Sequence, residues 1–234
     1  MRRSAIAVAV AALAACGPSV KPAMKTATDQ LAAGPRPQPR DLATEKRLAP
    51  LKWSVGQWTL TRSMYDKGEV SFVRTAIVGK ENGGYWIEME TQDWYRHGIT
   101  KVLYAGMPTS VDEAFDSVRR IIVRTEGKPD QVMDFTKDDP AMAFAKHFAK
   151  QYMKIGVAAV PEQASREDAK VQAGIFRGCA KFSTTVEVGP FSTEMTTWFH
   201  PAVPLSGSVK AVSADGKLST ELVDFGLTGA TSRM

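Results

Sequence analysis

Two glutamates, Glu88 and Glu90, have the spacing that comes nearest to a catalytic arrangement. They lie two residues apart in a segment in which apolar and polar residues alternate, so both side chains project from one face of a strand and could form an acid pair. The other face of this strand carries Tyr85, Ile87 and Met89. Because such alternation is typical of a half-buried strand, we expect the two glutamates to form its solvent side.

The histidines and the common catalytic motifs offer no second candidate. His97, His147 and His200 are far apart in the sequence and lack the i, i+4 spacing of a metal-binding pair on a helix. The sequence contains no phosphate-binding loop, dinucleotide fingerprint or nucleophile elbow. We therefore predict a protein that is not an enzyme and that uses no cofactor or metal. A cleft that gathers a histidine and a carboxylate would favour an enzyme instead.

The N-terminus carries the most specific motif of the chain. Arg2 and Arg3 precede an apolar run at 5–12, and a Leu-Ala-Ala triplet precedes Cys16. This order is typical of a secretion signal with a small-residue cleavage site. It resembles the signal of bacterial lipoproteins, which implies a signal peptide at 1–15 and acyl chains, palmitate among them, on Cys16. The alternatives are an ordinary signal peptide and a short membrane anchor, although a spanning helix needs about 20 apolar residues.

The same resemblance predicts a location. Glycine rather than aspartate follows Cys16, and in lipoprotein sorting this points away from retention in the inner membrane. We expect the protein in the cell envelope of a Gram-negative-type bacterium, attached to the outer membrane, with its domain in the periplasm. Its first partner would be the lipid bilayer, because several acyl chains together give stable attachment.

Charge and cysteine content exclude two further classes. The chain carries 30 Lys and Arg against 25 Asp and Glu, and removal of Arg2 and Arg3 with the signal lowers the net charge from +5 to +3. The basic residues form no cluster interleaved with aromatic residues, so we expect no nucleic-acid partner. With Cys16 acylated, Cys179 has no disulfide partner within the chain, and we expect it to be a buried thiol.

Composition divides the mature chain into a tether and one domain. Residues 16–40 are rich in proline, alanine and lysine and are typical of a flexible segment. Residues 41–234 are long enough for a single core, begin with a short predicted helix at 42–48, and then alternate with a period of two. The predicted strands are 58–65, 70–78, 85–90, 99–105, 118–124, 180–188, 191–199, 209–212 and 218–225. Because short turns join most of them, we predict a mainly β domain with a curved antiparallel sheet or an incomplete β-barrel.

One prominent helix is predicted between Pro140 and Gly156, with a capping aspartate before it. Its apolar face carries Phe144, Phe148 and Tyr152, and lysines lie roughly opposite. The favoured interpretation is a helix that packs on the sheet and covers it. The alternative is a lid over an apolar cavity.

Three motifs in the last third resemble the end of bacterial envelope domains of the lipoprotein carrier and outer-membrane lipoprotein receptor superfamily. They are AGIF at 173–176, WFHPAVPLSGSVK at 198–210 and LVDFG at 222–226. VGQW at 55–58 and GYWIE at 84–88 fit the same pattern more loosely. The resemblance implies a half-barrel, in which a curved antiparallel sheet surrounds an apolar cavity covered by helices.

Together these observations predict an outer-membrane lipoprotein that binds an apolar ligand without catalysis. The ligand would be a lipid, an acyl chain or a lipidated protein, and the oligomeric state stays open. The residues predicted to line the cavity are Trp58, Leu60, Ile87, Met89, Phe144, Phe148, Tyr152 and Trp198. The alternative is a structural or accessory lipoprotein that docks on a protein partner. A sizeable cavity would favour binding, and a solid interior with an exposed apolar patch would favour docking.

Overall fold

The structure, a computed structural model, describes residues 19–34, 38–108, 111–136, 160–188 and 191–234. Cys16 and the predicted signal peptide lie outside these described residues. The prominent helix predicted between Pro140 and Gly156 lies outside them as well, and with it Phe144, Phe148 and Tyr152.

Strands dominate the described part of the chain. Two helices accompany them, α1 (Pro22–Ala33) and α2 (Val111–Asp116). The strands are β1 (Arg40–Leu42), β2 (Trp58–Tyr65), β3 (Val70–Glu81), β4 (Gly84–Gln92), β5 (His97–Tyr104), β6 (Val118–Thr125), β7 (Gln131–Asp134), β8 (Ser165–Val171), β9 (Gly174–Val188), β10 (Phe191–Phe199), β11 (Ser208–Ser213) and β12 (Leu218–Gly226).

All of these strands belong to one sheet. Its order is β1-β9-β10-β11-β12-β2-β3-β4-β5-β6-β7, and β8 also pairs with β9. Neighbouring strands are antiparallel except for β1 and β9, which are parallel. The sheet does not close into a barrel, but it curls back at one end, because the backbone N–H of Ala173 donates to the carbonyl of Leu222 at 3.1 Å. The prediction of a mainly β domain with a curved, incompletely closed sheet is confirmed.

The main core fills this curl. It consists of buried side chains from β8 to β12 and the turns between them: Ala169, Val171, Ala173, Phe176, Cys179, Trp198, Val203, Val209, Leu222 and Phe225. A second cluster forms where Val102, Val118 and Ile121 pack against Met89. The two clusters leave the opposite face of β2 to β4 to be covered by other parts of the chain.

Several turns between the strands contain a glycine with positive φ, and these glycines mark the strand ends in the sequence. Between β3 and β4, Asn82 and Gly83 have φ values of 48° and 77°, the combination of a two-residue type I′ hairpin. Gly68 between β2 and β3 and Gly216 between β11 and β12 also have positive φ. The prediction that short turns join the strands is confirmed at these three positions.

The helix predicted at 42–48 is wrong. The chain there begins as β1, which pairs in parallel with the start of β9. A Cβ at Gly174 would lie 2.0 Å from the carbonyl oxygen of Arg40, so only glycine permits this close approach. Pairing between distant segments overrides the local helix preference.

The segment predicted to be a flexible tether contains α1. Pro22 lies in the first turn, where its missing N–H costs no hydrogen bond, and good helix formers such as alanine, methionine and leucine follow. Thr28 in this helix is completely buried. Over Pro22–Ala33 the chain is therefore an ordered helix rather than the flexible segment that composition predicted.

Cys179 provides a test of the main core. It has no exposed surface, and burial raises the pKa of its thiol from 9.0 to about 11. Since the thiolate is disfavoured only in the folded state, the wild type should lose stability as the pH rises from about 9 to about 11. Cys179→Ala should lower the free energy of unfolding at pH 7 by about 1–2 kcal/mol and should lack this part of the alkaline loss.

Urea unfolding of both proteins at neutral and alkaline pH measures the effect. The difference between the two proteins isolates the thiol from the lysines and tyrosines that titrate in the same range. Parallel pH profiles would contradict the burial of the thiol.

Candidate functional site: a cavity under the N-terminal helix

A cavity of about 520 Å³ lies between α1, one face of β2 to β4, and the C-terminal segment 229–233. Its apolar lining consists of Leu31, Trp58, Leu60, Phe72 and Ala230. Its polar lining includes Arg74, Glu90, Gln92, Thr231 and Arg233. The wall thus changes from apolar at β2 to polar at β4.

Strand register places these side chains on one face. Leu60 pairs with Arg74, and Arg74 pairs in turn with Glu90. Phe72 pairs with Gln92 two residues further along. Directly opposed residues in an antiparallel sheet project to the same side, so β2, β3 and β4 each contribute alternate residues to the cavity.

Helix α1 is attached to the end of β4 by polar contacts. The amide Nε2 of Gln92 donates to the hydroxyl of the buried Thr28 at 3.2 Å. The backbone N–H of Lys21 donates to the carbonyl of Trp94 at 3.0 Å, and the Lys25 ammonium lies 4.6 Å from the centre of the Trp94 ring. These contacts hold Leu31 over the cavity, where its side chain remains half exposed.

The C-terminal segment forms the opposite rim. The N–H of Ala230 donates to the carbonyl of Gly56 at 2.9 Å, and the Arg74 guanidinium donates to the carbonyl of Thr231 at 3.4 Å. Ser232 and Arg233 then reach the two glutamates of β4. The segment is therefore bound along its length to the turn before β2, to β3 and to β4.

Glu88 lies at the centre of this contact. One carboxylate oxygen accepts a hydrogen bond from the Ser232 hydroxyl at 2.5 Å, and the other accepts one from the backbone N–H of Arg233 at 2.9 Å. Glu90 pairs with the Arg233 guanidinium and with Nε2 of His97 at 3.1 Å. Both carboxylates are thus engaged by the chain itself.

The expectation that Glu88 faces solvent is wrong, because its side chain is completely buried. The alternation correctly predicts that Glu88 and Glu90 share one face of β4, but polar residues on a strand need not face water. Here the C-terminal segment covers the polar face of β4, and the nearby Arg74 guanidinium provides a positive charge 3.7 Å from the Glu88 carboxylate.

Arg74 is the less exposed of the two cations in the cavity wall, with 12% of its side-chain surface accessible, against 54% for Arg233. Burial lowers the pKa of its guanidinium, Arg233 lowers it further, and Glu88 and Glu90 oppose this shift. An arginine stays charged despite such a shift. Its Nη1 has no hydrogen-bond partner among the described residues.

The residues predicted to line a cavity are divided among three places. Trp58 and Leu60 line the cavity under α1. Ile87 and Met89 project from the other face of β4, and Met89 packs into the second cluster. Trp198 lies in the main core, where its indole N–H donates to Glu167 at 3.3 Å.

The two described histidines, His200 and His97, are engaged by neighbouring groups of the fold, and His147 lies outside the described residues. His200 is completely buried, donates from Nε2 to the carbonyl of Ala43 and accepts at Nδ1 from the N–H of Ala202. Burial lowers the pKa of His200, so the ring is neutral near pH 7. His97 is partly exposed beside Glu90. Within the described ranges no group of three or more histidine, cysteine or acidic side chains could hold a metal ion.

Sequence reasoning missed Leu31, Arg74, Ser232 and Arg233. Leu31 was assigned to the tether, and the C-terminal residues carry no motif. Arg74 lies at an alternate position of the predicted strand 70–78, and this was the one signal that could have placed it beside Glu90.

Comparison with known proteins assigns no family. The sequence matches no protein-family model and no curated protein with significant similarity. As for the membrane, none of the helices in the described ranges is long and apolar enough to span it.

Glu88 provides a test of the C-terminal contact. Glu88→Gln removes the charge opposite Arg74 and replaces one acceptor by a donor, so we expect the free energy of unfolding to fall by about 2–4 kcal/mol. Glu90→Gln is the matched control, because its main partner Arg233 is half exposed and the expected loss is about 1 kcal/mol or less. Chemical unfolding of both variants measures the difference. Equal losses would show that the buried carboxylate does not hold the segment.

Proposed function

We propose that this protein is an envelope lipoprotein that binds an acyl chain, of a lipid or of a lipidated protein, in the cavity under α1 without catalysis. The observation that carries the proposal is the apolar part of the cavity wall, formed by Leu31, Trp58, Leu60 and Phe72. Its volume of about 520 Å³ lies within the range of small-molecule pockets, about 300–1,000 Å³.

The energetics favour a flexible hydrocarbon chain. Each methylene removed from water contributes about 0.8 kcal/mol, so six buried methylenes would contribute about 5 kcal/mol. The carboxylates at the polar side are already paired, since Glu90 binds Arg233 and Glu88 behind it binds the C-terminal segment. This leaves the apolar side as the surface that gains most from a ligand.

The position of α1 also supports the proposal. Helix α1 begins at Pro22, six residues after Cys16. An extended chain covers at most about 3.6 Å per residue, so an acylated Cys16 would keep the start of α1 within about 20 Å of the bilayer surface. A ligand chain could then pass between membrane and cavity over a short distance. The resemblance of the C-terminal motifs to the lipoprotein carrier and receptor superfamily supports the same function.

The attachment is tested at Cys16. Cys16→Ser should abolish incorporation of labelled palmitate and release the protein from the outer-membrane fraction, because no thiol remains for acylation after the signal. Cys179→Ala is the matched control and should incorporate label like the wild type. Equal labelling of the Cys16 variant would contradict the proposed lipid anchor.

Ligand binding is tested at α1 with a fluorescent fatty acid and the full chain. Leu31→Glu places a charge in the cavity wall at a half-exposed position, so it should weaken binding by about tenfold or more with little loss of stability. Gln30→Glu adds the same charge to the next residue of the helix, outside the cavity lining, and should bind within about twofold of the wild type.

A wild type that shows no saturable binding would contradict the proposal and favour the alternative of a lipoprotein that docks on a protein partner. Equal affinities of the two helix variants would place the fatty acid elsewhere on the protein.

A further inference from the structure

A second, smaller pocket lies at one end of the central strands, where the β2–β3 and β4–β5 turns meet. It has a volume of about 110 Å³ and is lined by Tyr65 and Glu69 of the β2–β3 turn and by Asp93, Trp94 and Tyr95 of the β4–β5 turn. One water molecule occupies about 30 Å³ in the liquid, so the pocket has room for a chemical group about as large as three or four water molecules. Its size suits a compact chemical group rather than a chain.

Hydrogen bonds fix the walls of the pocket and connect the two turns that form it. One oxygen of Asp93 accepts hydrogen bonds from the N–H groups of Tyr95 and Arg96, each at 2.8 Å, and fixes the β4–β5 turn. The hydroxyl of Tyr95 donates to Oε1 of Glu69 at 2.6 Å and joins this turn to the other. The aromatic rings are thus held in place before any ligand arrives.

The chemistry of the pocket favours a cation. Three aromatic rings and two carboxylates line it. Two cations lie next to this lining, the Lys25 ammonium 4.6 Å from the centre of the Trp94 ring and the Arg96 guanidinium 3.3 Å from Asp93, which leaves Tyr65, Tyr95 and Glu69 for a further cation. The faces of aromatic rings are negative and attract cations. Burial raises the pKa of Tyr65, with smaller contributions from the Asp93 and Glu69 carboxylates that Arg96 partly offsets, and the hydrogen bond with Glu69 raises the pKa of Tyr95, so both tyrosines stay neutral near pH 7.

The hydrogen bonds that the two carboxylates already accept favour one type of cation over another. Both oxygens of Asp93 already accept hydrogen bonds, and so does one oxygen of Glu69. A primary ammonium needs acceptors for its three N–H groups, whereas a methylated ammonium needs none and is recognised by aromatic cages.

We propose that this pocket binds a quaternary ammonium group of the choline type, with Tyr65, Trp94 and Tyr95 around the cation and Glu69 balancing its charge. The group could belong to a free small molecule or to a lipid headgroup. The pocket is separate from the cavity under α1 and does not depend on the acyl-chain proposal.

Isothermal titration calorimetry of the full chain in a maltoside detergent tests the proposal. The probes are choline, glycerophosphocholine and a short-chain phosphatidylcholine, with the corresponding phosphatidylglycerol as control. We expect saturable binding of the choline compounds in the millimolar range or tighter, and weaker binding or none for phosphatidylglycerol. Equal affinity of choline and phosphatidylcholine would identify the free group as sufficient, and binding of phosphatidylcholine alone would identify a lipid headgroup.

Two variants assign the binding to the pocket. Tyr65→Leu removes one ring and should weaken choline binding by about fivefold, since one cation–π contact contributes about 1 kcal/mol. Glu69→Gln keeps the shape of the side chain and should weaken binding by a similar factor through loss of its charge. Tyr85→Leu is the matched control, because it removes a tyrosine ring that can interact with a cation, as its contact with the Lys80 ammonium shows, but that lies outside the pocket, and it should bind like the wild type.

Three results would overturn the proposal. They are the absence of saturable binding of every choline compound to the wild type, binding that neither Tyr65→Leu nor Glu69→Gln changes, and binding of phosphatidylglycerol that these two variants weaken as much as they weaken binding of phosphatidylcholine. If Tyr65→Leu does not fold, Glu69→Gln alone decides the assignment.

Discussion

The buried carboxylate of Glu88 is the constraint on which the cavity side of the molecule depends. A charged group without exposed surface is stable only when it is paired and hydrogen-bonded. Here Arg74 provides the opposite charge, and Ser232 and Arg233 provide the hydrogen bonds from a position more than 140 residues along the chain. The site that holds the C-terminal segment therefore exists only where β3 and β4 are paired, since it needs both Arg74 and Glu88. Once bound there, the segment forms a wall of the cavity instead of a loose end.

The two ends of the described chain cover the same face of the sheet, but the C-terminal segment is attached to it more firmly than α1. The C-terminal segment is held by a buried carboxylate, by Glu90 and by a backbone hydrogen bond to Gly56. Helix α1 buries only Thr28 completely and is otherwise attached by polar contacts at its N-terminal half. Elements with few buried contacts open at the lowest free energy. In the proposed function, α1 is thus the wall that moves when a ligand chain enters.

The sequence predicted the strands well because their signal is local. Alternation over 58–65 and the Asn-Gly turn at 82–83 are properties of a few neighbouring residues, and β2 and the β3–β4 hairpin follow directly. It did not predict β8, whose SREDAKV sequence exposes most of its residues and resembles a loop. It also could not show which face of β4 borders the cavity. Alternation shows that Ile87 and Glu88 lie on opposite faces of β4. It does not show that the face of Glu88 is buried, because the C-terminal segment that covers this face is distant in the sequence.

Helix α1 connects the two sites physically. Gln92 lines the cavity and holds Thr28, while the next residue, Asp93, lines the aromatic pocket. The docked helix also places the Lys25 ammonium 4.6 Å from the centre of the Trp94 ring. If α1 moves to admit an acyl chain, the Lys25 ammonium moves away from the Trp94 ring. The face of the ring is then free to bind another cation. Coupling between binding sites is reciprocal, so an ammonium ligand at Trp94 would in turn weaken the hold on α1 and favour the chain. A molecule that carries both groups, as a choline phospholipid does, would gain from this coupling at both sites.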